Sequence, residues 1–281
     1  MIYEHEIPKG SHLYFGKSAK LKREIENLAS KILEESGFEE IVTPNFSYQH
    51  YQCILNDKEL IKLSDTTNSP ITLRADSTFD VVRLITKRLG RHINHDKWYY
   101  IQPIFRYPTT EEYQIGAEWL DSSDLKQICD ILISIFKNLD LNPMLQITNI
   151  KIPKILSKEL DIPLFELEDI NLDRLFSKNI KWLEKILYLQ YPNQIDSILD
   201  DVPESLKIEL EKLRDLAKSI NYNNIIISPM YYTKLTYYDE MFFKFFENNQ
   251  TFAKGGNYKI ENLDCIGFGI NTDKVIQTLL K

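Results

Sequence analysis

Hydrophobic residues recur with helical spacing in three stretches of the first half of the chain. Residues 17–36 place aliphatic side chains on one stripe, three or four positions apart, and Gly37 follows as the expected helix end. Residues 77–89 and 123–139 repeat this pattern. The spacing predicts three amphipathic helices, and a further short helix is expected from about residue 272 to the end of the sequence.

Other stretches alternate between apolar and polar residues or form short apolar blocks, which favours β-strands. The clearest pair covers residues 98–106 and 112–120. A further strand is predicted in residues 38–46 and is expected to stop at Pro44. Other strands are predicted at residues 70–76, 144–152, 223–232, 235–246 and 265–270. Residues 153–220 differ, because short helical segments rich in Leu, Ile, Lys and Glu dominate there.

The order of these segments predicts an α+β domain in which an antiparallel sheet is flanked by helices. The regular strand–helix alternation of a doubly wound fold is missing from the pattern. Residues 1–152 and 221–281 would together form the core of this domain. Residues 153–220 would form a small helical insertion.

Charge and composition narrow the classes of function. The 281 residues carry a formal net charge of −7, which argues against a broad nucleic-acid-binding face. No apolar run approaches the length that spans a bilayer, and the first ten residues lack the blocks of a signal peptide. The three cysteines are far apart and fit reduced thiols. We therefore expect a cytoplasmic protein that does not bind a membrane.

The second strand of the clearest pair carries polar residues in a chemically suggestive arrangement. Gln114 and Glu118 share one face of the predicted strand, and Gly116 lies between them on that face. The preceding strand ends in Arg106. An amide, a gap and a carboxylate suit a small zwitterion, because a buried ammonium group needs a carboxylate and an imidazole N–H needs an acceptor.

Each candidate also has a purely structural interpretation. Arg106 could be a surface arginine paired with Glu111 or Glu112. The segment LRADST could simply cap the helix that follows it, through Asp76, Ser77 and Thr78. Ser77 or Thr78 would then be the N-cap residue.

Two aromatic or glycine-rich features are weaker signals. Tyr237 and Tyr238 lie in an aromatic strand, where core packing is the default. Gly255 and Gly256 indicate a turn or a close backbone approach, and they are weak evidence for phosphate binding.

The order of these motifs resembles the catalytic domain of class II aminoacyl-tRNA synthetases, and of histidyl-tRNA synthetase in particular. The helix and GFEEIVTP, residues 37–44, are similar to the family's first motif, a dimer-interface element. FRYPTTEEYQIGAE, residues 105–118, resembles the second motif, and CIGFGINTDKV, residues 265–275, resembles the third. The resemblance covers nearly the whole chain and implies the family's antiparallel sheet flanked by helices.

The resemblance assigns roles to individual residues. Asp76 and Thr78 fall where the synthetases hold the histidine ammonium group and its surroundings. Gln114 and Glu118 fall where the family recognises the histidine side chain and amine. The paired tyrosines that line the same pocket correspond to Tyr237 and Tyr238.

The sequence departs from the synthetases at residues that activate the amino acid with ATP. Pro108 stands where an acidic residue is usual, and the loop of the second motif is cut to a few residues. The arginine expected in the histidine-specific motif is Thr233, and that of the third motif is Lys274, with Asn271 where glycine is usual. Fixed cations supply much of the catalysis of adenylation. We therefore assign no catalytic residue and expect Arg106 and Lys274 to be a vestigial nucleotide site.

This profile resembles the regulatory subunits of ATP phosphoribosyltransferase, which are synthetase-like proteins without the anticodon-binding domain. LRADST, with Asp76 where the synthetases carry Glu-Gly, fits that family better, and we expect no anticodon-binding domain. The resemblance implies a non-catalytic chain that joins a short-form catalytic subunit at the first step of histidine biosynthesis. It also implies histidine as the feedback signal and a homodimer within a hetero-oligomer, without tRNA, metal ion or cofactor.

Two alternatives stay open from the sequence. A truncated histidyl-tRNA synthetase, or a paralogue that activates an amino acid for another acceptor, is kept open by Arg106 and Lys274. A scaffold that has lost ligand binding is the other, although Asp76, Gln114 and Glu118 argue against it.

Overall fold

The computed structural model describes residues 6–51, 57–89, 95–164, 167, 175, 178–232, 238–260 and 263–281. The chain divides into two compact units, residues 1–122 with 267–281, and residues 123–266. None of the described helices is long and apolar enough to cross a membrane.

Within the described residues, the first unit combines three α-helices, a π-helical turn and the strands that hold most of the candidate residues. Its elements, numbered along the whole chain, are α1 (Gly16–Glu35), β1 (Glu39–Glu40), β2 (Phe46–Tyr48), β3 (Lys62–Ser64), β4 (Pro70–Leu73), α2 (Ser77–Leu84), the π-helical turn Ile85–Leu89, β5 (Lys97–Arg106) and β6 (Thr110–Leu120). The last residues of β11 (Leu263–Asn271) and the final helix α7 (Thr272–Leu279) complete it.

Two sheets organise the strands of this unit. β5 pairs antiparallel with β6, β1 pairs parallel with β5, and β11 lies on the other side of β6. A separate three-stranded antiparallel sheet has the order β2-β4-β3. The helices α2 and α7 both contact β6, and α1 contacts α7.

The register of β5 and β6 places the candidate residues on one face. Gln102 is opposite Gln114, and Arg106 is opposite Thr110. Because side chains alternate along a strand, Gln114 and Glu118 share one face, as the sequence pattern predicts, and the register places Arg106 on that face too.

The strand predicted in residues 38–46 ends before Pro44, as expected, but it is shorter than predicted. Only Glu39–Glu40 pairs with β5, and pairing resumes at Phe46 with β4. Pro44 lies in the interruption and has no N–H to donate to a ladder. The side chain of Val42 is exposed, so this segment is not buried in spite of its apolar residues.

The helix predicted over residues 77–89 begins as predicted but has a different cap. Its N-cap is Asp76, whose carboxylate accepts a hydrogen bond from the Phe79 N–H at 3.3 Å, and not Ser77 or Thr78. Residues Ile85–Leu89 continue the helix as a π-helical turn.

The second unit contains the rest of the described helices and strands. They are α3 (Leu125–Asn138), β7 (Met144–Asn149), α4 (Lys151–Glu159), α5 (Lys181–Leu187), α6 (Glu204–Ser219), β8 (Ile225–Ile227), β9 (Tyr238–Glu247), β10 (Gln250–Ile260) and the first residues of β11. Here β10 pairs with β9 and β9 with β7, both antiparallel, whereas β7 and β8 are parallel. In this unit the sheet is therefore antiparallel from β10 to β7 and parallel at its β8 edge.

Gly255 and Gly256 lie in the middle of β10, so the turn expected there is wrong and the close backbone approach is correct. A Cβ on Gly256 would overlap the carbonyl oxygen of Met241 on β9. The pairing also shifts between Gly256 and Tyr258, which indicates a β-bulge. The core beside these strands is aromatic, with Phe136 of α3 against Phe245 and Phe252.

Candidate functional site

Glu118 is fully buried in β6, and its carboxylate is enclosed by two neighbouring strands. The hydroxyl of Tyr100 on β5 donates to Glu118 Oε1 at 3.4 Å. On the other side, a Cβ built on Gly267 of β11 would overlap Glu118 Oε2 and lie 2.8 Å from the carbonyl oxygen of Ala117. The absence of a side chain at Gly267 is thus a condition for the observed position of the carboxylate.

The space beside Gly116 is occupied by the protein itself. Tyr100 is opposite Gly116 in the ladder, and its ring lies across the glycine, with Cε2 only 2.7 Å from an ideal Cβ. The gap that the sequence pattern suggested for a ligand is therefore filled by the phenol ring of Tyr100. This ring also delivers the hydrogen bond to Glu118.

Gln114 is half-buried and lies next to two further polar side chains on the same face. Its amide nitrogen donates to Glu112 Oε1 at 3.0 Å. Gln102, directly opposite, accepts from the backbone N–H and hydroxyl of Thr43 at 3.2 and 3.1 Å. The Nε2 of Gln102 is buried without a hydrogen-bond partner. The face thus offers both an unused amide donor and the amide oxygen of Gln114.

Arg106 closes this face at the end of β5. Within the described ranges it makes no ion pair, so the surface pairing with Glu111 or Glu112 is not found. Its Nε is buried without a hydrogen-bond partner. The guanidinium is therefore a cation whose hydrogen-bonding capacity is not used up by the protein.

The segment LRADST is hydrogen-bonded to β5 through Arg74. The carbonyl oxygen of Arg74 accepts from the Phe105 N–H at 2.8 Å, and the buried Arg74 side chain donates to the carbonyl oxygen of Pro103 at 2.7 and 3.0 Å. Asp76 and Thr78, both half-buried, follow at the start of α2. The structure therefore brings these two residues to the same end of β5 as Arg106.

Lys274 lies in the first turn of α7. Asn271 is the N-cap of this helix and accepts from the Lys274 N–H at 2.9 Å. Its φ angle of −82° needs no glycine, which explains how asparagine replaces the usual residue of the third motif.

Asp273, which the sequence analysis did not single out, is buried beside Lys274. It accepts hydrogen bonds from the Tyr14 hydroxyl and, at 2.9 Å, from the Tyr113 N–H, and His12 Nε2 lies 3.9 Å away. Burial raises the pKa of Asp273 above its usual range, although the hydrogen bonds from Tyr14 and Tyr113 oppose this. Burial, with Glu111 nearby, also raises the pKa of Tyr113 to about 12.

The predicted tyrosine pair falls only partly within the described residues. Tyr238, at the start of β9 in the second unit, is buried with its ring 4.9 Å from that of Phe242. Tyr237 and Thr233 lie outside the described residues.

Within the first unit, the geometry offers acceptors and donors of two kinds. Glu118, Gln114 and Asp76 provide carboxylate and amide oxygens, which bind ammonium and imidazole N–H groups. Arg106 and Lys274 are cations that attract a carboxylate or phosphate. Tyr100, Gly267 and Asp273 were missed, although the glycines of GFG were a signal of close packing against the second motif.

The fold and these motifs define the chain as a member of the histidyl-tRNA synthetase family, whose model matches residues 14–275. Within that family it belongs with the ATP phosphoribosyltransferase regulatory subunits. It is 44% identical over 281 residues to the protein so named from Wolinella succinogenes, covering 100% of this chain and 98% of the relative. It is 40% identical over 282 residues to that from Helicobacter hepaticus, covering 100% of both.

A solved structure supports the fold. The ATP phosphoribosyltransferase regulatory subunit/histidyl-tRNA synthetase from Bacillus halodurans C superposes with a TM-score of 0.80 at 18% identity. The superposition covers 99% of this chain and 84% of the solved one.

Proposed function

We propose that this chain is the non-catalytic regulatory subunit of an ATP phosphoribosyltransferase, and that it binds histidine as a feedback signal. The observation that carries the proposal is the 44% identity, over the full length, to a protein named for that role. The complex would act in the cytoplasm, where its ATP is available, and would involve neither tRNA nor a membrane.

The polar face of β5 and β6 supports histidine as the ligand. Gln114 is accessible enough to accept from an imidazole N–H, and Asp76 offers a carboxylate for the ammonium group. Glu118 is enclosed by Tyr100 and Gly267, so it would act from beneath the pocket, directly or through the phenol. The resemblance to the synthetases adds Tyr237 and Tyr238 to the residues proposed for histidine binding.

The cations around this face support a sensor over an enzyme. Thr233 cannot replace an arginine, and Lys274 lacks the planar fork that binds phosphate oxygens in pairs. Arg106 would then be the one arginine left in the set of cations that stabilises negative charge during adenylation. An amino-acid pocket without that set can bind its ligand but not activate it.

A sensor regulates its partner only if histidine binds two states of the complex with different affinity. The test mixes this chain with the short-form catalytic subunit from the same organism and follows phosphoribosyl-ATP formation with and without histidine. We expect a complex on gel filtration, activity that depends on this chain, and inhibition by histidine. The proposal would be refuted if no complex formed and the rate of phosphoribosyl-ATP formation did not change when this chain was added.

We also propose a homodimer within this hetero-oligomer. The helix α1 and the segment up to Pro44 resemble the first synthetase motif, which forms an isologous interface in that family. The exposed side chains of Phe15, just before α1, and Val42, just after β1, support a contact surface in this stretch. Sedimentation of the unchanged chain, with Val42 and Phe15 in place, tests the dimer. A monomer in this experiment would contradict the proposal.

Amino-acid activation is the second candidate, favoured by Arg106 on the same face as Gln114. A truncated synthetase or a paralogue would catalyse histidine-dependent ATP–pyrophosphate exchange, whereas a regulatory subunit would not. Exchange above the background without enzyme would therefore favour this candidate.

A further inference from the structure

A second concave site lies in the first unit, between the three-stranded sheet and α2 with its π-helical turn. Its volume is about 680 Å³, within the range of small-molecule pockets. One wall is aromatic and the other is basic, formed respectively by Phe46, Tyr48 and Tyr51, and by Arg83, Lys87 and Arg88. We call this cavity the basic groove.

The helix sequence brings the three cations to one wall. Arg83, Lys87 and Arg88 follow each other at intervals of four and one residues, and the latter two lie on the π-helical turn Ile85–Leu89. Such turns are rare and occur frequently at functional sites. The π-helical turn is thus a local departure from α-helical geometry at the place where the groove is most positive.

Arg83 is held in position from two sides. Its Nη2 donates to Asp80 Oδ1 at 2.9 Å, and its guanidinium carbon lies 4.0 Å from the centre of the Tyr51 ring. Its Nε is buried without a hydrogen-bond partner. A fixed guanidinium that retains an unused buried donor is suited to a ligand with acceptor oxygens.

The carboxylates in the lining are engaged by neighbouring groups. Asp80 accepts from Ser47 as well as from Arg83, and Asp65 accepts from the backbone N–H groups of Thr67 and Ser69. Three cations thus face two occupied carboxylates, in a chain whose formal net charge is −7. The basic groove is therefore a local exception to the acidic character of the protein.

The aromatic wall offers flat faces beside this charge. The side chains of Phe46 and Tyr48 are 58% and 49% exposed, and the rings of His50 and Tyr48 are stacked 5.7 Å apart. Aromatic faces of this kind bind planar heterocycles, and arginines bind phosphate oxygens. An acidic peptide would use the cations but would not need both walls of a concave cavity.

We propose that the basic groove binds a purine nucleotide, with its phosphate at Arg83, Lys87 and Arg88 and its base against Phe46 and Tyr48. The site uses none of the residues assigned to histidine binding, nor Arg106 or Lys274. The inference therefore does not depend on the proposed function. In a regulatory subunit it would provide a second input, from nucleotide, beside that from histidine.

Calorimetry with AMP tests the proposal, with adenosine and inorganic phosphate as the two partial ligands. We expect AMP to bind the full chain more tightly than either part. Changing both exposed cations, Lys87→Gln with Arg88→Gln, should weaken AMP binding about tenfold or more, because hydrogen bonds to charged groups are strong. Tyr48→Ala should weaken binding of AMP but not of inorganic phosphate.

The matched control removes two cations of α1 that are also exposed, Lys20→Gln with Lys31→Gln, and should leave AMP affinity unchanged. Three outcomes would overturn the proposal. They are no binding of AMP to the unchanged chain, an equal loss in the control, and a loss in Arg106→Gln or Lys274→Gln but not in the groove variant. Tighter binding of polyglutamate than of AMP would instead assign the groove to an acidic protein segment.

Discussion

The carboxylate of Glu118 occupies the volume that a side chain on Gly267 would fill. The two residues lie on neighbouring strands, β6 and β11, and belong to the second and third synthetase-like motifs respectively. The third motif therefore contributes to the candidate histidine site through the absence of a Cβ at Gly267, independently of the arginine that Lys274 replaces.

Gly267→Ala is expected to displace Glu118 and weaken histidine binding. The new Cβ would overlap a fully buried carboxylate, and overpacking of this kind lowers the free energy of unfolding by about 1–3 kcal/mol. Gly269→Ala, two residues further along the same strand, is the matched control, because a Cβ there meets nothing within 4 Å. Urea unfolding and histidine calorimetry of both variants test this, and equal behaviour would refute the packing argument.

Glu118→Ala should weaken histidine binding by about a hundredfold or more, because loss of one partner from a buried charged pair costs several kcal/mol. Glu118→Gln keeps the shape and should also lose most of the affinity if the charge is what binds the ammonium group. Glu111→Gln, on the opposite face of the same strand, controls for the change in net charge. Unchanged affinity in a folded Glu118→Ala variant would show that the pocket is elsewhere.

The raised pKa of Asp273 predicts a pH dependence of stability. A carboxyl group whose pKa is higher in the folded than in the unfolded protein stabilises the fold while it is protonated, and this contribution is lost as pH rises through the folded pKa. Each unit of difference corresponds to about 1.4 kcal/mol. In Asp273→Asn the amide can accept from the Tyr113 N–H and donate to the Tyr14 hydroxyl, so the contacts persist without the titration.

The free energy of unfolding of the unchanged chain should therefore fall relative to Asp273→Asn as pH rises from about 4, the usual aspartate value. Urea denaturation at several pH values between 4 and 8 gives this difference. Parallel curves, or a difference of opposite sign, would show that the hydrogen bonds from Tyr14 and Tyr113 outweigh burial.

No histidyl-tRNA synthesis is expected. Thr233 and Lys274 stand where the synthetases carry arginines, and the second-motif loop of this chain is only a few residues long. The assay uses purified chain, ATP, histidine and tRNA, with a full-length histidyl-tRNA synthetase as positive control. Charging above the background without enzyme would make the chain a synthetase.

The sequence was sufficient where one periodicity governs a whole element. The alternation in β6 correctly placed Gln114 and Glu118 on one face, because this strand is long and is paired throughout with β5. The pattern could not predict which side chains from neighbouring strands pack against that face. That Tyr100 fills the space at Gly116 depends on the register between two strands, which no single-strand pattern contains.

Tertiary contacts decide between the alternatives that local propensity leaves open. Glycine pairs are typical of turns, but Gly256 lies inside a strand because the backbone of Met241 comes too close for any side chain. The apolar block before Pro44 was similarly expected to continue as a strand. Instead, the carbonyl oxygens of Thr43 and Pro44 accept from the Arg74 guanidinium, and the Thr43 N–H and hydroxyl donate to Gln102 Oε1.

Arg74 has a consequence for how the chain could respond to its ligand. Its buried guanidinium donates to the carbonyl oxygens of Thr43, Pro44 and Pro103 and to Asn45 Oδ1, and a cation fixed to that many partners cannot be replaced by lysine. These hydrogen bonds hold the start of α2 against the end of β5 in the absence of any ligand. Binding of histidine would therefore cost little conformational entropy at this junction, because the junction is already ordered. We expect the conformational change that reaches a partner subunit to begin elsewhere on the molecule.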